Sequence, residues 1–143
     1  MKPFIAIPIG DVAGVGPEIT VKSLAKKEVF DAARAVVVGD KKIMEQAIKV
    51  WGADLKINVI NEPEEGVYEE NILNLIDLDN IDMSSFEYGK VQAMCGKAAF
   101  EYIKKSIELA NARKVDAVAT TPINKEALRA AGINYIGHTE IFG

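Results

Sequence analysis

Ala35-Val36-Val37-Val38 is an uninterrupted apolar run that stops abruptly at Gly39-Asp40. A strand with one wet face alternates apolar and polar residues. A run without alternation belongs to a strand covered on both faces, as in sheets flanked by helices. The rest of the chain alternates in the same sense, short β-branched runs with longer helical patterns. Phe4-Ile5-Ala6-Ile7 reads as a first strand closed by Pro8-Ile9-Gly10. Pro17 suits a first helical turn, with Glu18 placed well for the helix dipole, Ile19, Leu24 and Ala25 as its apolar positions and Lys26-Lys27 as its C-terminal cations. Asp40 is a plausible N-cap for a helix carrying Ile43, Ala47, Ile48 and Trp51 at helical spacing and ended by Gly52. Ile57 to Ile60 and Ile72 to Leu78 are strand candidates, the second interrupted by Asn74 and Asp77. The spacing of Val91, Met94, Ala98, Tyr102 and Ile103 predicts a long helix over 90–113 whose stripe is core. Val115 to Ala119 reads as a further buried strand and Lys125 to Ala131 as a short helix closed by Gly132.

Strand and helix in alternation predict an α/β fold, a largely parallel sheet with flanking helices, with residues 1–143 as a single unit. Ligands of such sheets sit beyond the carboxyl ends of the strands. The loops after Ile9, after Ala119 and around Gly137 are therefore the places to look.

Composition narrows the partners. Lys plus Arg number 17 against 21 Asp plus Glu, a net charge of −4, which argues against nucleic acid and leaves room for a small phosphorylated ligand. The acidic run from Glu62 to Glu70 reads as a solvated loop without function. Cys95 is the single cysteine, so no internal disulfide forms, and Met94-Cys95-Gly96 suggests a small buried residue rather than a reactive thiol. The apolar run from Phe4 to Ile9 is too short for a signal segment or a membrane span, and a cytoplasmic protein is expected.

Three loops could carry chemistry. Gly10-Asp11-Val12-Ala13-Gly14-Val15-Gly16-Pro17-Glu18 joins a strand to a helix through three glycines. It is neither a dinucleotide G-x-G-x-x-G fingerprint nor a Walker loop. Asp11, Gly14 and Gly16 form either a tight structural turn or an anion-binding cradle, and composition does not choose. Thr120-Thr121-Pro122-Ile123-Asn124-Lys125 offers hydroxyl, amide and ammonium donors at a strand end and helix start. Asn124 could be an N-cap and Lys125 a solvated lysine, although a cation there opposes the helix dipole and favours a bound anion. Gly137-His138-Thr139-Glu140 holds the single histidine, which has no partners at metal-ligand spacing and cannot make a zinc site alone.

Taken in order, Gly-Asp-x-Ala-Gly-x-Gly-Pro-Glu, the helix beginning Cys95-Gly96-Lys97-Ala98-Ala99-Phe100, then Thr-x-Pro-Ile-Asn-Lys and Gly-His-Thr-Glu, the chain resembles the 4-hydroxythreonine-4-phosphate dehydrogenase (PdxA) family. Val12 stands where that family usually has proline. The resemblance spans essentially the whole chain. It implies an isocitrate/isopropylmalate dehydrogenase-like fold of two α/β domains with a cleft between them, in a homodimer. It also implies an NAD(P)-dependent, divalent-metal-assisted oxidation of 4-phosphohydroxy-L-threonine, with decarboxylation, in pyridoxal phosphate biosynthesis. By matched motif, His138, Thr139, Lys125 and Asn124 would bind substrate, and Asp11, Gly14, Gly16 and Thr121 would line the cleft. The family's metal-binding histidines and most of its nicotinamide-binding segment come later in its sequence and have no counterpart here. The expectation is thus an N-terminal part of a two-domain enzyme, with no metal ligand of its own, inactive alone, and self-associating through the 90–113 stripe and the Ile141-Phe142 end. A dehydrogenase for phosphorylated threonate or erythronate, or a non-catalytic phosphate-ligand binding module, are the alternatives. An enzyme of acyl transfer to phosphate shares related architecture but does not need the Gly-His-Thr-Glu context.

Overall fold

The computed structural model describes residues 2–90 and 92–120. Thr121, Asn124, Lys125, His138, Thr139, the expected 125–131 helix and the Ile141-Phe142 end lie outside the described residues, as does Val91. Within them the order is β1 (Phe4–Pro8), α1 (Gly16–Leu24), α2 (Lys27–Ala32), β2 (Arg34–Gly39), α3 (Lys41–Trp51), β3 (Lys56–Val59), a 3-10 turn at Pro63–Glu65, β4 (Ile72–Asp77), α4 (Ala93–Asn111) and β5 (Ala117–Val118).

The five strands make one sheet in the order β3-β4-β2-β1-β5, and every pairing is parallel. Registers run Ala6↔Val36 and Ile7↔Val37 between β1 and β2, and Val37↔Leu75 between β2 and β4. Val36, Val37 and Val38 are wholly buried, as the lack of alternation predicts. Asn74, which breaks the apolar run of β4, is also buried, its amide hydrogen-bonded through both Oδ1 and Nδ2. Its Oδ1 accepts from Val67 N and Asn58 Nδ2, and its Nδ2 donates to the Val67 carbonyl, each at 2.9 Å. β3 is an edge strand and leaves Lys56 and Val59 exposed.

The α4 stripe is core. Cys95, Ala98, Tyr102, Ile103 and Leu109 are buried, and the helix packs on β1, β2 and β5. This corrects the expected self-association face, since a stripe already covered by the sheet has nothing left to offer a partner. The exposed large apolar residues lie elsewhere. Val50, Trp51 and Tyr88 line an open groove of about 270 Å³ with Gly14, Pro17, Glu18 and Ala47. No helix among the described residues is long and apolar enough to cross a membrane.

Several boundaries differ from the sequence reading for local reasons. Lys26-Lys27 does not end α1, because Lys27 opens α2, a six-residue helix without a buried residue. In α1 the buried positions are Gly16, Pro17, Thr20 and Val21, while Ile19 is exposed. The helix packs on α3 and meets the turn after β1 through Gly16, which lies against the Ile9 and Asp11 carbonyls, with Thr20 Oγ1 donating to the Gly16 carbonyl at 2.9 Å. Trp51 is half exposed rather than core, and the Lys22 ammonium lies 4.2 Å from its ring centroid. The helix predicted from Lys90 starts at Ala93, because Gln92 is extended and Gly89, at φ +75°, turns the chain into a bond with the first loop. The strand predicted over Val115 to Ala119 is ladder-paired only at Ala117 and Val118. The acidic run is not wholly solvated: Pro63 is buried, Tyr68 donates to its carbonyl at 2.6 Å, and the Tyr68 ring meets Phe4 edge-on at 5.4 Å.

Candidate functional site

All five strands being parallel, their carboxyl ends share one edge of the sheet. Five segments emerge there: Ile9 to Val15 after β1, Asp40 after β2, Ile60 to Glu62 after β3, Leu78 to Asp82 after β4, and Ala119-Thr120 after β5. Ala119 N–H donates to the Ala6 carbonyl, which holds the end of β5 beside the end of β1.

The turn after β1 is built around Asp11. Ile9 is still in the sheet, its N–H on the Val38 carbonyl at 3.1 Å, and Gly10 then takes φ +55°. Asp11 Oδ1 accepts the Ala13 N–H at 3.1 Å, and the Asp11 carbonyl accepts the Gly14 N–H at 3.2 Å. Any Cβ on Gly14 would fall on Asp11 Oδ2, so glycine at 14 is what leaves room for that carboxylate. Val12 is fully buried and anchors the turn through its side chain. Asp11, Gly14 and Gly16 lie together in this one turn.

Asp11 is half-buried, and desolvation raises its carboxyl above the usual range, only partly opposed by the Ala13 hydrogen bond. Oδ2 meets no donor among the described residues. Cys95, at the start of α4, feels the same carboxylate. Burial first, and the Asp11 charge second, push its thiol up to about 11. A thiol so raised and 1% exposed is a packing group. Alkylation of Cys95 in the native protein at pH 8 should therefore run at least about 100-fold slower than in the urea-unfolded chain, since each unit of pKa costs a factor of about ten in thiolate. Comparable native and unfolded rates by mass spectrometry would show the thiol to be accessible.

The other carboxylates of this edge are already occupied. Asp40, wholly buried, accepts from Lys42 N at 2.8 Å, Ile43 N at 3.3 Å and Ile81 N at 3.1 Å, and the Lys42 ammonium lies 3.5 Å away. Asp77 accepts from Lys41 N at 3.0 Å and Asp79 N at 2.9 Å. Among the described residues no three His, Cys, Asp or Glu side chains converge as a metal site. A more enclosed cavity of about 100 Å³, lined by Phe30, Ala35, Tyr68 and Ile72 among others, sits where β2 and β4 begin, at the opposite edge from Asp11. The carboxyl edge is the better candidate, because a turn of glycines beside a half-buried acid gathers backbone and side-chain groups where a ligand of a parallel sheet binds.

One part of this edge has no sequence signal. The segment from Ile81 to Lys90 crosses the glycine turn, with Gly89 N–H donating to the Ala13 carbonyl at 2.8 Å and Tyr88 Oη to Gln46 Oε1 at 2.6 Å. These are long-range bonds between residues that show neither periodicity nor motif.

The family model described as "Pyridoxal phosphate biosynthetic protein PdxA" matches residues 31–143. The chain belongs to the PdxA family. A relative from Fusobacterium nucleatum, provisionally named a D-threonate 4-phosphate dehydrogenase, is 64% identical over all of this chain, which spans 43% of that protein. One from Clostridium botulinum with the same provisional name is 54% identical over 98% of the chain and is spanned to 42%. Among solved structures, a 4-hydroxythreonine-4-phosphate dehydrogenase from Burkholderia phymatum superposes with a TM-score of 0.94 at 44% identity, covering 99% of this chain and 43% of that one. A terephthalate 1,2-cis-dihydrodiol dehydrogenase from Burkholderia xenovorans superposes at 0.76 with 26% identity, over 94% and 38% of the two chains. This PdxA-family chain therefore spans less than half the length of those relatives, and they are named as dehydrogenases.

Proposed function

We propose that this chain supplies part of the substrate cleft of an NAD(P)-dependent, metal-assisted dehydrogenase that oxidises a four-carbon hydroxy acid phosphorylated at C4. The observation that carries the reading is the family's glycine turn, with its half-buried Asp11, lying at the carboxyl edge of a parallel sheet. Of the substrates the motifs leave open, D-threonate 4-phosphate is favoured, because the relatives at 64% and 54% identity are provisionally named for it. The second reading, 4-phosphohydroxy-L-threonine in pyridoxal phosphate biosynthesis, rests on the family description and on the solved structure at 44% identity. The two molecules share a C1 carboxylate, a C3 hydroxyl and a C4 phosphate, and differ at C2, hydroxyl against ammonium.

In either case the C3 alcohol becomes a ketone, and the resulting 3-keto acid loses its C1 carboxyl as carbon dioxide. When bound, NAD(P)⁺ supplies the hydride acceptor and a divalent ion the Lewis acid for this chemistry. The described residues do not fit such an ion, since Asp40 and Asp77 accept from backbone N–H groups and Asp11, with its second oxygen open, has no other His, Cys, Asp or Glu side chains converging on it as a metal site. By the resemblance its ligands belong to the part of the family's length that this chain does not span. The chain's own residues bind and orient. Lys125 and Asn124 donate to an anionic end of the substrate, His138 and Thr139 contact it, and Asp11, Gly14, Gly16 and Thr121 shape the wall. Residues 1–143 act as one α/β unit in a cytoplasmic homodimer.

Steady-state kinetics of the full-length protein on both phosphates test the reading. We expect kcat/KM for D-threonate 4-phosphate to exceed that for 4-phosphohydroxy-L-threonine by at least about 100-fold, the scale on which an unpaired buried polar group discriminates. The reverse ratio supports the second reading, and oxidation of neither ends both. His138→Ala should raise KM by about tenfold or more with metal content intact. Loss of bound metal would make the imidazole a ligand instead.

A further inference from the structure

Gln92 is the hub of the segment that crosses the glycine turn. It is the extended residue ahead of α4, and its side-chain amide reaches back along the chain. Nε2 donates to the Ser85 carbonyl at 2.7 Å, and Oε1 accepts the Glu87 N–H at 2.9 Å. Those two bonds close residues 85–87 into a fixed bend. The bend is secured upstream by Asp82, which accepts from Ser84 N, Ser84 Oγ and Ser85 Oγ, and by Ile81, whose N–H lies on the buried Asp40. Downstream it presents Tyr88 to Gln46 of α3 and Gly89 to the Ala13 carbonyl. Ala13 in turn clamps Asp11, because the Ala13 N–H is the donor that holds the Asp11 carboxylate. Gln92 is thus linked to Asp11 by its hydrogen bond to Glu87, the two backbone steps from Glu87 to Gly89, and the hydrogen bonds from Gly89 to Ala13 and from Ala13 to Asp11.

We infer that Gln92 is a positioning residue for the substrate cleft, setting the pose of the Gly10–Gly16 turn through the 81–90 strap. The inference rests on the reading of that turn as cleft wall. An amide suits the position because one side chain must both donate to a carbonyl and accept from an N–H. Leucine supplies neither group, and glutamate, ionised, keeps only the acceptor. The strap is bonded to the turn by the single Gly89–Ala13 backbone bond, and the Tyr88 hydroxyl ties the strap to Gln46 of α3 beside it, so loosening the bend frees the turn without unpacking β1 or β2.

Hydrogen exchange in the full chain reads this directly, independently of activity. In Gln92→Leu the amides of Ala13, Gly14 and Gly89 should exchange about tenfold faster, while Val36 to Val38 keep wild-type rates. Gln92→Glu should fall between leucine and wild type. Tyr88→Phe leaves Gln92 intact and should quicken Gly89 and Ala13 by about threefold. Unchanged turn exchange in both Gln92→Leu and Tyr88→Phe overturns the inference. So does acceleration of every amide in Gln92→Leu with no change at the turn in Tyr88→Phe. In the active full-length protein, Gln92→Leu should raise KM by about fivefold or more with kcat within about twofold, restored in part by glutamate. A kcat loss with unchanged KM counts against it. If the wild-type protein oxidises neither phosphate substrate, the functional reading fails, and the exchange rates alone decide whether Gln92 sets the turn.

Discussion

Gly16→Ala should destabilise the protein by about 3 kcal/mol or more, at the top of the range for forced overpacking. A Cβ at this position would fall on the Ile9 carbonyl oxygen, with the Asp11 carbonyl oxygen at 3.0 Å and the Ile9 carbonyl carbon at 3.1 Å. All three are backbone atoms of the turn itself, so no side chain can rotate away. Relief requires the first turn of α1 to move away from the Ile9 and Asp11 carbonyls, which disturbs the burial of Thr20 and Val21 and the packing of α1 on α3. Two other glycines serve as controls. Gly39→Ala meets the Ile9 side chain, nearest Cδ1 at 2.6 Å, which can shift. Gly52→Ala meets nothing within 4 Å and carries only the strain of φ +60°, about 1 kcal/mol. Urea denaturation of the three variants should rank Gly16→Ala the most damaging by a clear margin. A Gly16→Ala protein as stable as Gly52→Ala would mean the turn is looser than its contacts indicate. The same substitution should cost the full-length enzyme its activity, because the displaced segment carries Asp11.

The parts of this fold that can be read from the sequence are those whose signals are local. β2 is legible because three valines without alternation admit only a doubly covered strand, and α3 because Asp40 and Gly52 mark its two ends chemically. Gly52 does take the left-handed conformation, its N–H on the Lys49 carbonyl. Signals fail where a tertiary contact decides. α2 has six residues and buries none, so no periodicity announces it. Ile19 points outward because Gly16 brings α1 close through its smallest side chains, a choice that apolar counting cannot anticipate. Asn74 and Asp77 look like interruptions until their partners are known, Val67 and Asn58 for one, Lys41 and Asp79 for the other. At the candidate site the glycine turn was legible from composition and family resemblance. The strap over it was not, because Asp82, Ser85, Gln92 and Gly89 acquire meaning only through bonds that the folded chain makes.

Asp40→Ala should cost about 3 kcal/mol, through lost hydrogen bonds. The carboxylate is wholly buried and satisfies three backbone donors at once. Two of them, Lys42 and Ile43, are first-turn N–H groups of α3, and losing such a cap costs about 1 kcal/mol. The third, Ile81 N–H, comes from the loop after β4 and would be left buried without an acceptor, a further penalty of about 1–3 kcal/mol. The Lys42 ammonium would also lose one of its two carboxylates, but that group is largely in water and adds little. Asp40→Asn separates the contributions. Its single carbonyl can still cap α3, while its NH₂ would face the Ile81 N–H, donor against donor. About half the loss should therefore persist in asparagine, and it should be specific to the Ile81 end. Chemical denaturation gives the totals, and hydrogen exchange at Ile81 and Ile43 assigns them. If asparagine matched wild type with Ile81 still protected, the link from β2 to the strap would not depend on the carboxylate. In that case Ile81 would have to be held by packing alone.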